Sequence, residues 1–182
     1  MPDGLCLDHD VVILHTNDTH CGIEENMGYA GLVWYENQMK EETPYVTLVD
    51  AGDAIQGAPV GTCPRASTVQ IMNKAGYDFA VPGNHEFDYG MEKLLGLSAR
   101  LDCGYSACNF VNLPSKTQVF APYRIMEYDD IQVAFVGVAT PESITKSTPA
   151  YFQDQLEDTA SASVRMRRER PYTARYRVPW TR

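Results

Sequence analysis

The chain lacks any apolar run long enough to form a membrane helix. The run from Val133 to Ala139 has the length of a strand, whereas a membrane-spanning helix needs about 18 apolar residues. The first ten residues hold three aspartates and no lysine or arginine, and a signal peptide begins with basic charge ahead of an apolar core. We therefore expect neither a membrane-spanning segment nor a signal peptide, and a processed or truncated start would give the same sequence.

Cysteine pairs with metal-binding spacing are also missing. The five cysteines are odd in number, and no two of them are separated by only two residues. Neither a disulfide framework nor a zinc finger fits this pattern. We expect free, partly buried thiols, which behave as small apolar side chains.

Basic charge is scarce in most of the chain. Residues 1–158 contain 8 basic and 23 acidic residues, a net charge of −15, which opposes binding to a nucleic-acid backbone. Residues 159–182 reverse the sign, with seven arginines, no lysine and one glutamate. The hydrophobic fraction of 44% is that of a globular protein. We therefore predict a folded unit over 1–158 and a basic, unstructured or non-native tail over 159–182.

The basic tail has two interpretations. Its apolar residues follow neither helical nor strand periodicity, and all of its basic residues are arginines, which favours a shifted reading frame or an artificial end. The alternative is an arginine-rich arm with interleaved aromatics that binds nucleic acid or anionic surfaces. Salt-dependent DNA binding that is lost on removal of 159–182 would identify this alternative.

Strand and helix patterns alternate through the acidic part of the chain. This order predicts an α/β fold with a layered β-sheet core and outer helices. A hairpin is predicted around Asp129-Asp130. The predicted strands are 11–14, 45–50, 78–81 and 105–110, the predicted helices are 30–42, 68–75 and 89–101, and the hairpin strands are 123–128 and 131–139.

The most polar loops directly follow three of these strands. Asp18 and His20 follow the first strand, Asp53 follows the second, and Asn84 and His85 follow the third. Ligands of parallel sheets gather at the carboxyl ends of the strands. Because the three strands are expected to be parallel, we expect these side chains to share one neighbourhood.

Carboxylate, imidazole and amide groups together form a mixed set of metal ligands. Such a set suits Zn²⁺, Mn²⁺ or Fe²⁺ better than Ca²⁺, which prefers oxygen ligands alone. Asp18 and His20 are two residues apart, so on an extended segment they face the same side and can chelate one ion. The carboxylate of Asp53 can bridge two ions.

Each of these residues has a plainer interpretation when it is taken alone. Asp18 and Asp53 could be ordinary loop or N-cap carboxylates, His20 a surface histidine and Asn84 a turn residue. His15, inside an apolar strand, is expected to be a buried core histidine rather than a ligand. The ordered set of DxH, GD and GNHExD, each after a strand, favours a metal site.

The sequence motifs around these residues are similar to those of a known family. LHTNDTH at 14–20, GDAIQG at 52–57 and GNHEFDYG at 83–90 resemble the calcineurin-like metallophosphoesterases, and within them the 5′-nucleotidase / UDP-sugar hydrolase branch. The resemblance spans Val11 to Asp154 and implies the N-terminal part of a metallophosphoesterase catalytic domain. Members of this branch hydrolyse phosphomonoesters of nucleosides, and in some cases nucleotide sugars, and are usually exported or surface-held.

The resemblance implies a role for each motif residue. Two divalent metal ions, zinc, manganese or similar, activate the water that hydrolyses a small-molecule nucleotide. The implied metal ligands are Asp18, His20, Asp53 and Asn84, the implied catalytic dyad is His85 and Asp88, and the implied substrate contacts are Asn84 and His85. No partner protein can be read from the sequence, and the acidic charge of 1–158 predicts no nucleic-acid partner.

Later ligands of the family have no counterpart in this chain. The family centre is completed by a histidine after a further strand and by a Gly-His-x-His or Gly-His-x-Gln motif, and this chain has no histidine after His85. The alternative prediction is therefore an inactive, truncated remnant with weak metal binding at most. Within the enzyme class, a 2′,3′-cyclic-nucleotide phosphodiesterase or 3′-nucleotidase uses the same centre.

Overall fold

The computed structural model describes residues 7–57, 65–112, 115–147 and 164–166. Strands alternate with helices and a hairpin follows, which confirms the predicted α/β class. The strands are β1 (Val12–Thr16), β2 (Val46–Asp50), β3 (Phe79–Ala80), β4 (Phe110–Asn112), β5 (Tyr123–Tyr128), β6 (Ile131–Val136) and β7 (Val164–Met166). The helices are α1 (Gly28–Glu42), α2 (Arg65–Ala75), α3 (Met91–Ser98) and α4 (Ser143–Lys146), and a 3₁₀ turn covers His85–Phe87.

A parallel sheet of β1, β2 and β3 supports the site. β2 lies in the centre, with Val46 opposite Val12 of β1 and Asp50 opposite Ala80 of β3. Leu48 in the middle of β2 is fully buried, as expected for a strand rich in β-branched and apolar residues. Because all three strands run parallel, the loops that follow them leave the same edge of the sheet, as the sequence predicts.

The expectation of a buried first strand with a core histidine is wrong. Exposed and half-buried residues alternate along β1, and His15 and Ile13 are exposed. Leu14 packs against the core, whereas the described residues leave the opposite face of this edge strand uncovered. His9, ahead of β1, is exposed as well.

Two helices end where the sequence marks an end. The N–H of Thr43 donates to the carbonyl of Met39 at 2.9 Å at the end of α1, and Pro44 cannot continue the helix. α2 ends before Gly76, whose φ of 80° and hydrogen bond to the carbonyl of Met72 at 3.0 Å form a left-handed cap. None of the helices in the described ranges combines the length and hydropathy needed to cross a membrane.

Two predicted elements differ from the structure, and one agrees. The predicted helix 89–101 begins only after Gly90, whose φ of 83° is incompatible with a helix interior. The predicted strand 105–110 is not continuous, because Tyr105 and Ser106 form single bridges and β4 starts at Phe110. The predicted hairpin is confirmed, with β5 antiparallel to β6 and Asp129 at the turn.

The hairpin packs beside a core that joins the sheet and the helices. The ring of Phe135 on the hairpin lies 5.9 Å from that of Phe79 on β3, and Phe110 stacks on Phe120 at 5.6 Å. Arg124 of the hairpin donates to the carbonyl of Cys103 at 2.7 Å. The largest fully buried apolar side chains are Phe87, Phe110, Leu48, Ile55, Met72, Leu94, Leu97 and Val69.

Three residues of the basic tail are among those described. They form β7, which pairs antiparallel with β4 and sets Met166 opposite Phe110 and Val164 opposite Asn112. These three residues form a short strand, and the interpretation of 159–182 as an unstructured or non-native tail stays a prediction. The rest of 159–182 lies outside the described residues, so the boundary at residue 158 stays a prediction.

Candidate metal centre

Backbone hydrogen bonds join the loops that follow β1 and β2. The N–H of Asp18 donates to the carbonyl of Gly52 at 3.0 Å, and the N–H of His20 donates to that of Asp53 at 2.9 Å. Asp18, His20 and Asp53 have φ angles of 55°, 46° and 58°, a left-handed conformation that costs about 1–2 kcal/mol per residue. Such strain clusters at functional sites. The prediction that the segment from Asp18 to His20 is extended is therefore wrong. A turn brings the two side chains together instead.

Two glycines let the loops after β2 and β3 touch. A Cβ on Gly52, which has a φ of 110°, would lie 2.5 Å from the nitrogen of Gly83. A Cβ on Gly83 would lie 2.6 Å from the nitrogen of Asp53 and would also overlap its carboxylate. Both distances are shorter than real Cβ contacts allow. The carboxylate of Asp53 thus lies in space that only a glycine at position 83 leaves open.

Three side chains from the three loops converge at this edge of the sheet. His20, Asp53 and His85 each offer one ligand atom, and these atoms lie within 4.8 Å of one another. The rings of His20 and His85 are 5.2 Å apart, both are half-buried, and Asp53 is 8% exposed. Two imidazoles and a carboxylate are ligands of Zn²⁺ and related ions. The residues present therefore fit a divalent transition metal.

Asp18 lies beside this group. Oδ1 of Asp18 lies 3.6 Å from Nε2 of His20, while Nδ1 of His20 lies 2.7 Å from the carbonyl oxygen of Gln56. A hydrogen bond from one ring nitrogen to a carbonyl presents the other nitrogen as a ligand, and Nε2 is on the side of Asp18. Asn84 directly precedes His85 in the loop after β3.

His85 and Asp88 form a hydrogen-bonded pair. The Nδ1–H of His85 donates to Oδ2 of Asp88 at 2.6 Å, because the 3₁₀ turn places residues three apart on the same side. Partial burial by itself lowers the pKa of His85, but the carboxylates of Asp88 and Asp53 outweigh it and raise that pKa. A histidine held in this way favours its protonated, cationic form.

The surroundings of Asp53 disfavour its negative charge unless a cation is near. Burial raises the pKa of its carboxyl group, and the nearby carboxylate of Asp18 raises it further. The N–H and the imidazole of His85 oppose this rise, and that N–H donates to Oδ1 at 2.7 Å. Crowded carboxylates of this kind gain most from a bound positive ion.

A fully buried glutamate, to which the sequence analysis gives no role, lies directly behind the centre. Glu86 is 0% exposed and accepts hydrogen bonds from backbone N–H groups of the loops after β2 and β3. Its position in the GNHE word next to His85 is the one signal the sequence offers. Hydrophobicity patterns assign glutamate to the surface, so they do not reveal it.

The whole-chain pattern agrees with one known family. The family model for calcineurin-like phosphoesterase matches residues 11–161, which include all three site loops. The chain belongs to this family. Calcineurin-like phosphoesterases use divalent metals, and the group of His20, Asp53 and His85 offers a suitable donor set in this member.

Relatives named 5′-nucleotidase match most of the chain. The bovine 5′-nucleotidase is 32% identical over 170 aligned positions, which cover 81% of this chain and 30% of the bovine protein. A probable 5′-nucleotidase of Treponema pallidum is 28% identical over 189 positions, covering 92% of this chain and 32% of that protein. The chain therefore spans about a third of the length of these curated relatives.

A solved structure of the family supports the fold. The calcineurin-like phosphoesterase YfkN from Bacillus subtilis superposes with a TM-score of 0.67 at 26% identity, over 86% of this chain and 53% of that one. The resemblance stated from the three motifs and the metallophosphoesterase-type fold are thus confirmed. The individual roles of Asp18, His20, Asp53, Asn84, His85 and Asp88 stay predictions.

Proposed function

We propose that this chain carries the metal-binding part of a nucleotide phosphohydrolase of 5′-nucleotidase type. The observation that carries the proposal is the convergence of His20, Asp53 and His85 at one sheet edge. The proposed ligands of two divalent ions are Asp18, His20, Asp53 and Asn84, and His85 lies beside them as the catalytic histidine. Residues 1–158 would then be the N-terminal portion of a catalytic domain, and the tail beyond the family match, which ends at residue 161, would lie outside the family sequence.

The proposed chemistry divides between the ions and the protein. Bound divalent ions would polarise a phosphoryl oxygen and lower the pKa of water. The Nδ1–H of His85 donates to Asp88, and in its cationic form His85 also carries a proton at Nε2. In that form His85 can stabilise phosphoryl charge or protonate the departing oxygen.

A nucleotide is the substrate class that the named relatives favour. Both the bovine and the treponemal relatives are named 5′-nucleotidases, and a Bacillus subtilis relative is named a trifunctional nucleotide phosphoesterase, 30% identical over 90% of this chain. The last name also keeps a 2′,3′-cyclic-nucleotide phosphodiesterase or 3′-nucleotidase as the second candidate. A panel of AMP, 3′-AMP and 2′,3′-cyclic AMP separates the candidates.

The test is metal-dependent release of phosphate from AMP. We expect turnover with added Mn²⁺ or Zn²⁺, loss of turnover with a chelator, and loss of turnover in His85→Ala. His15→Ala is the matched control, because His15 is exposed on the edge strand β1 and lies outside the cluster. Metal binding without turnover on any of the three substrates would support the inactive remnant instead.

A further inference from the structure

Glu86 connects two of the three site loops through backbone hydrogen bonds alone. Its Oε2 accepts the N–H of Asp53 at 2.8 Å and that of Gly83 at 2.6 Å. Its Oε1 accepts the N–H of Ala54 at 2.8 Å and that of Ile55 at 3.2 Å. One side chain thus joins the loop after β2 to the loop after β3.

A buried carboxylate at this position needs a compensating role. Taking a carboxylate out of water costs several kcal/mol by order of magnitude unless hydrogen bonds replace the lost solvent. A carboxylate accepts about four hydrogen bonds, and the four N–H groups donate two to each oxygen of Glu86. Its acceptor capacity is therefore used entirely on the two loops.

The same two loops carry ligand atoms of the proposed centre. Glu86 holds the backbone nitrogen of Asp53, while the carboxylate of Asp53 accepts the N–H of His85 at 2.7 Å. The carbonyl of Asp53 accepts the N–H of His20 at 2.9 Å. All three members of the cluster are therefore positioned by the segment 53–55, whose backbone N–H groups donate to Glu86.

We propose that Glu86 is a positioning residue for the metal centre, which fixes the spacing of His20, Asp53 and His85 without contacting the metal itself. This inference rests on the metal binding in the proposed function. The glutamate of the GNHE motif then orients the metal ligands and takes no part in the reaction itself. Positioning groups behind metal ligands typically change metal affinity by about 10- to 100-fold when they are removed.

The substitution that tests this is Glu86→Gln. Glutamine keeps the shape of glutamate, but its amide –NH₂ would face two N–H donors, so two of the four bonds are lost. We expect the Kd for Co²⁺, measured by titration of the visible absorption of the cobalt complex, to rise about 10- to 100-fold. The absorption intensity should change as well, because it reports the arrangement of the ligands.

Glu36→Gln is the matched control. Glu36 is also a buried glutamate, 3% exposed, but it lies on α1 and pairs with Lys40 at 2.8 Å. This control should leave the Kd and the absorption intensity for Co²⁺ unchanged. Thermal unfolding without metal, recorded for both variants, shows that each is folded at the temperature of the titration.

Glu86→Asp is the second variant. It keeps the charge but shortens the side chain by one methylene, so a smaller rise in Kd is expected. A folded Glu86→Gln protein with the cobalt affinity and spectrum of the parent would overturn the proposal. If Glu86→Gln fails to fold, an unchanged cobalt affinity in Glu86→Asp would also overturn it. Loss of folding in both variants, or the absence of cobalt binding in the parent chain, would overturn it as well.

Phosphate release from AMP in the same samples separates this inference from the proposed function. A parent chain that binds Co²⁺ in a Glu86-dependent way but hydrolyses no nucleotide contradicts the proposed function and leaves the positioning role intact. If the parent chain hydrolyses AMP and its cobalt affinity is the same in Glu86→Gln, the positioning role is contradicted and the proposed function is supported.

Discussion

The backbone N–H of His85 donates to Oδ1 of Asp53 at 2.7 Å. This bond joins the first residue of the 3₁₀ turn after β3 to the carboxylate that follows β2. Asp53 therefore orders the neighbouring loop as well as offering a ligand atom. Its position depends on how closely the two loops can approach.

Gly83→Ala should disturb that approach. The new Cβ would lie 2.6 Å from the nitrogen of Asp53, so the loop must shift, at a cost of about 1–3 kcal/mol in the free energy of unfolding. We expect weaker Mn²⁺ binding by calorimetry together with a lower urea midpoint.

Gly96→Ala is the control for that substitution. Nothing lies within 4 Å of a Cβ placed on Gly96 of α3, and alanine is favoured over glycine in a helix by about 1 kcal/mol. This variant should gain stability and keep its Mn²⁺ affinity. Equal Mn²⁺ affinity in Gly83→Ala would show that the close packing of the loops does not position Asp53.

Asp88→Asn should lower turnover more than substrate binding. Asparagine keeps the shape and a neutral amide acceptor but removes the charge that raises the pKa of His85, so the imidazole loses part of its cationic character and is held less strongly. We expect kcat for AMP to fall about 10- to 100-fold, with KM changed far less. The exposed Asp102→Asn serves as the control, and a kcat for Asp88→Asn equal to that of the control would remove Asp88 from the mechanism.

The meeting of the three loops could be predicted from sequence, whereas their local conformation could not. Parallel strands send their carboxyl ends to one edge, so Asp53 and His85 were expected to be neighbours. The approach of Asp18 and His20 depends on left-handed φ angles, which residue spacing on an extended segment does not reveal. These φ angles are maintained by hydrogen bonds from the N–H groups of Asp18 and His20 to the carbonyls of Gly52 and Asp53, which are distant in sequence. A local pattern cannot reveal such partners.

Two other residues show the limits of sequence patterns. His15 lies in an apolar segment, but whether a strand has both faces covered depends on its neighbours, and β1 is at the sheet edge. In the described part of the chain, the hydrogen bonds to the Glu86 carboxylate come from backbone N–H groups, and such partners have no signature in the amino-acid sequence.

Asp50 should make the protein less stable as the pH rises. Burial raises the pKa of this carboxyl group to about 7, although bonds from Thr16 and Gly52 oppose the rise. The native state therefore binds this proton more tightly than the unfolded state, and the free energy of unfolding falls between about pH 4 and pH 7, by on the order of 1 kcal/mol per unit. Above about pH 7 the contribution of Asp50 becomes constant.

Urea unfolding of Asp50→Asn at about pH 5 and about pH 8 checks this sign. Asparagine resembles the protonated acid, so this variant should lose less stability across the interval than the parent. Burial also raises the pKa of Asp53 and Glu86, so part of the decline should remain. The exposed Asp130→Asn should keep the full decline, and an identical decline in Asp50→Asn would contradict the assignment.

We infer that His20 and Asp53 hold a metal ion beside His85. The most direct test of this inference is a crystal structure with Mn²⁺, in which anomalous scattering locates the ion. We expect a peak about 2.0–2.2 Å from a carboxylate oxygen of Asp53 and at bonding distance from Nε2 of His20. A peak elsewhere in the protein, or no peak at this edge of the sheet at saturating Mn²⁺, would contradict it.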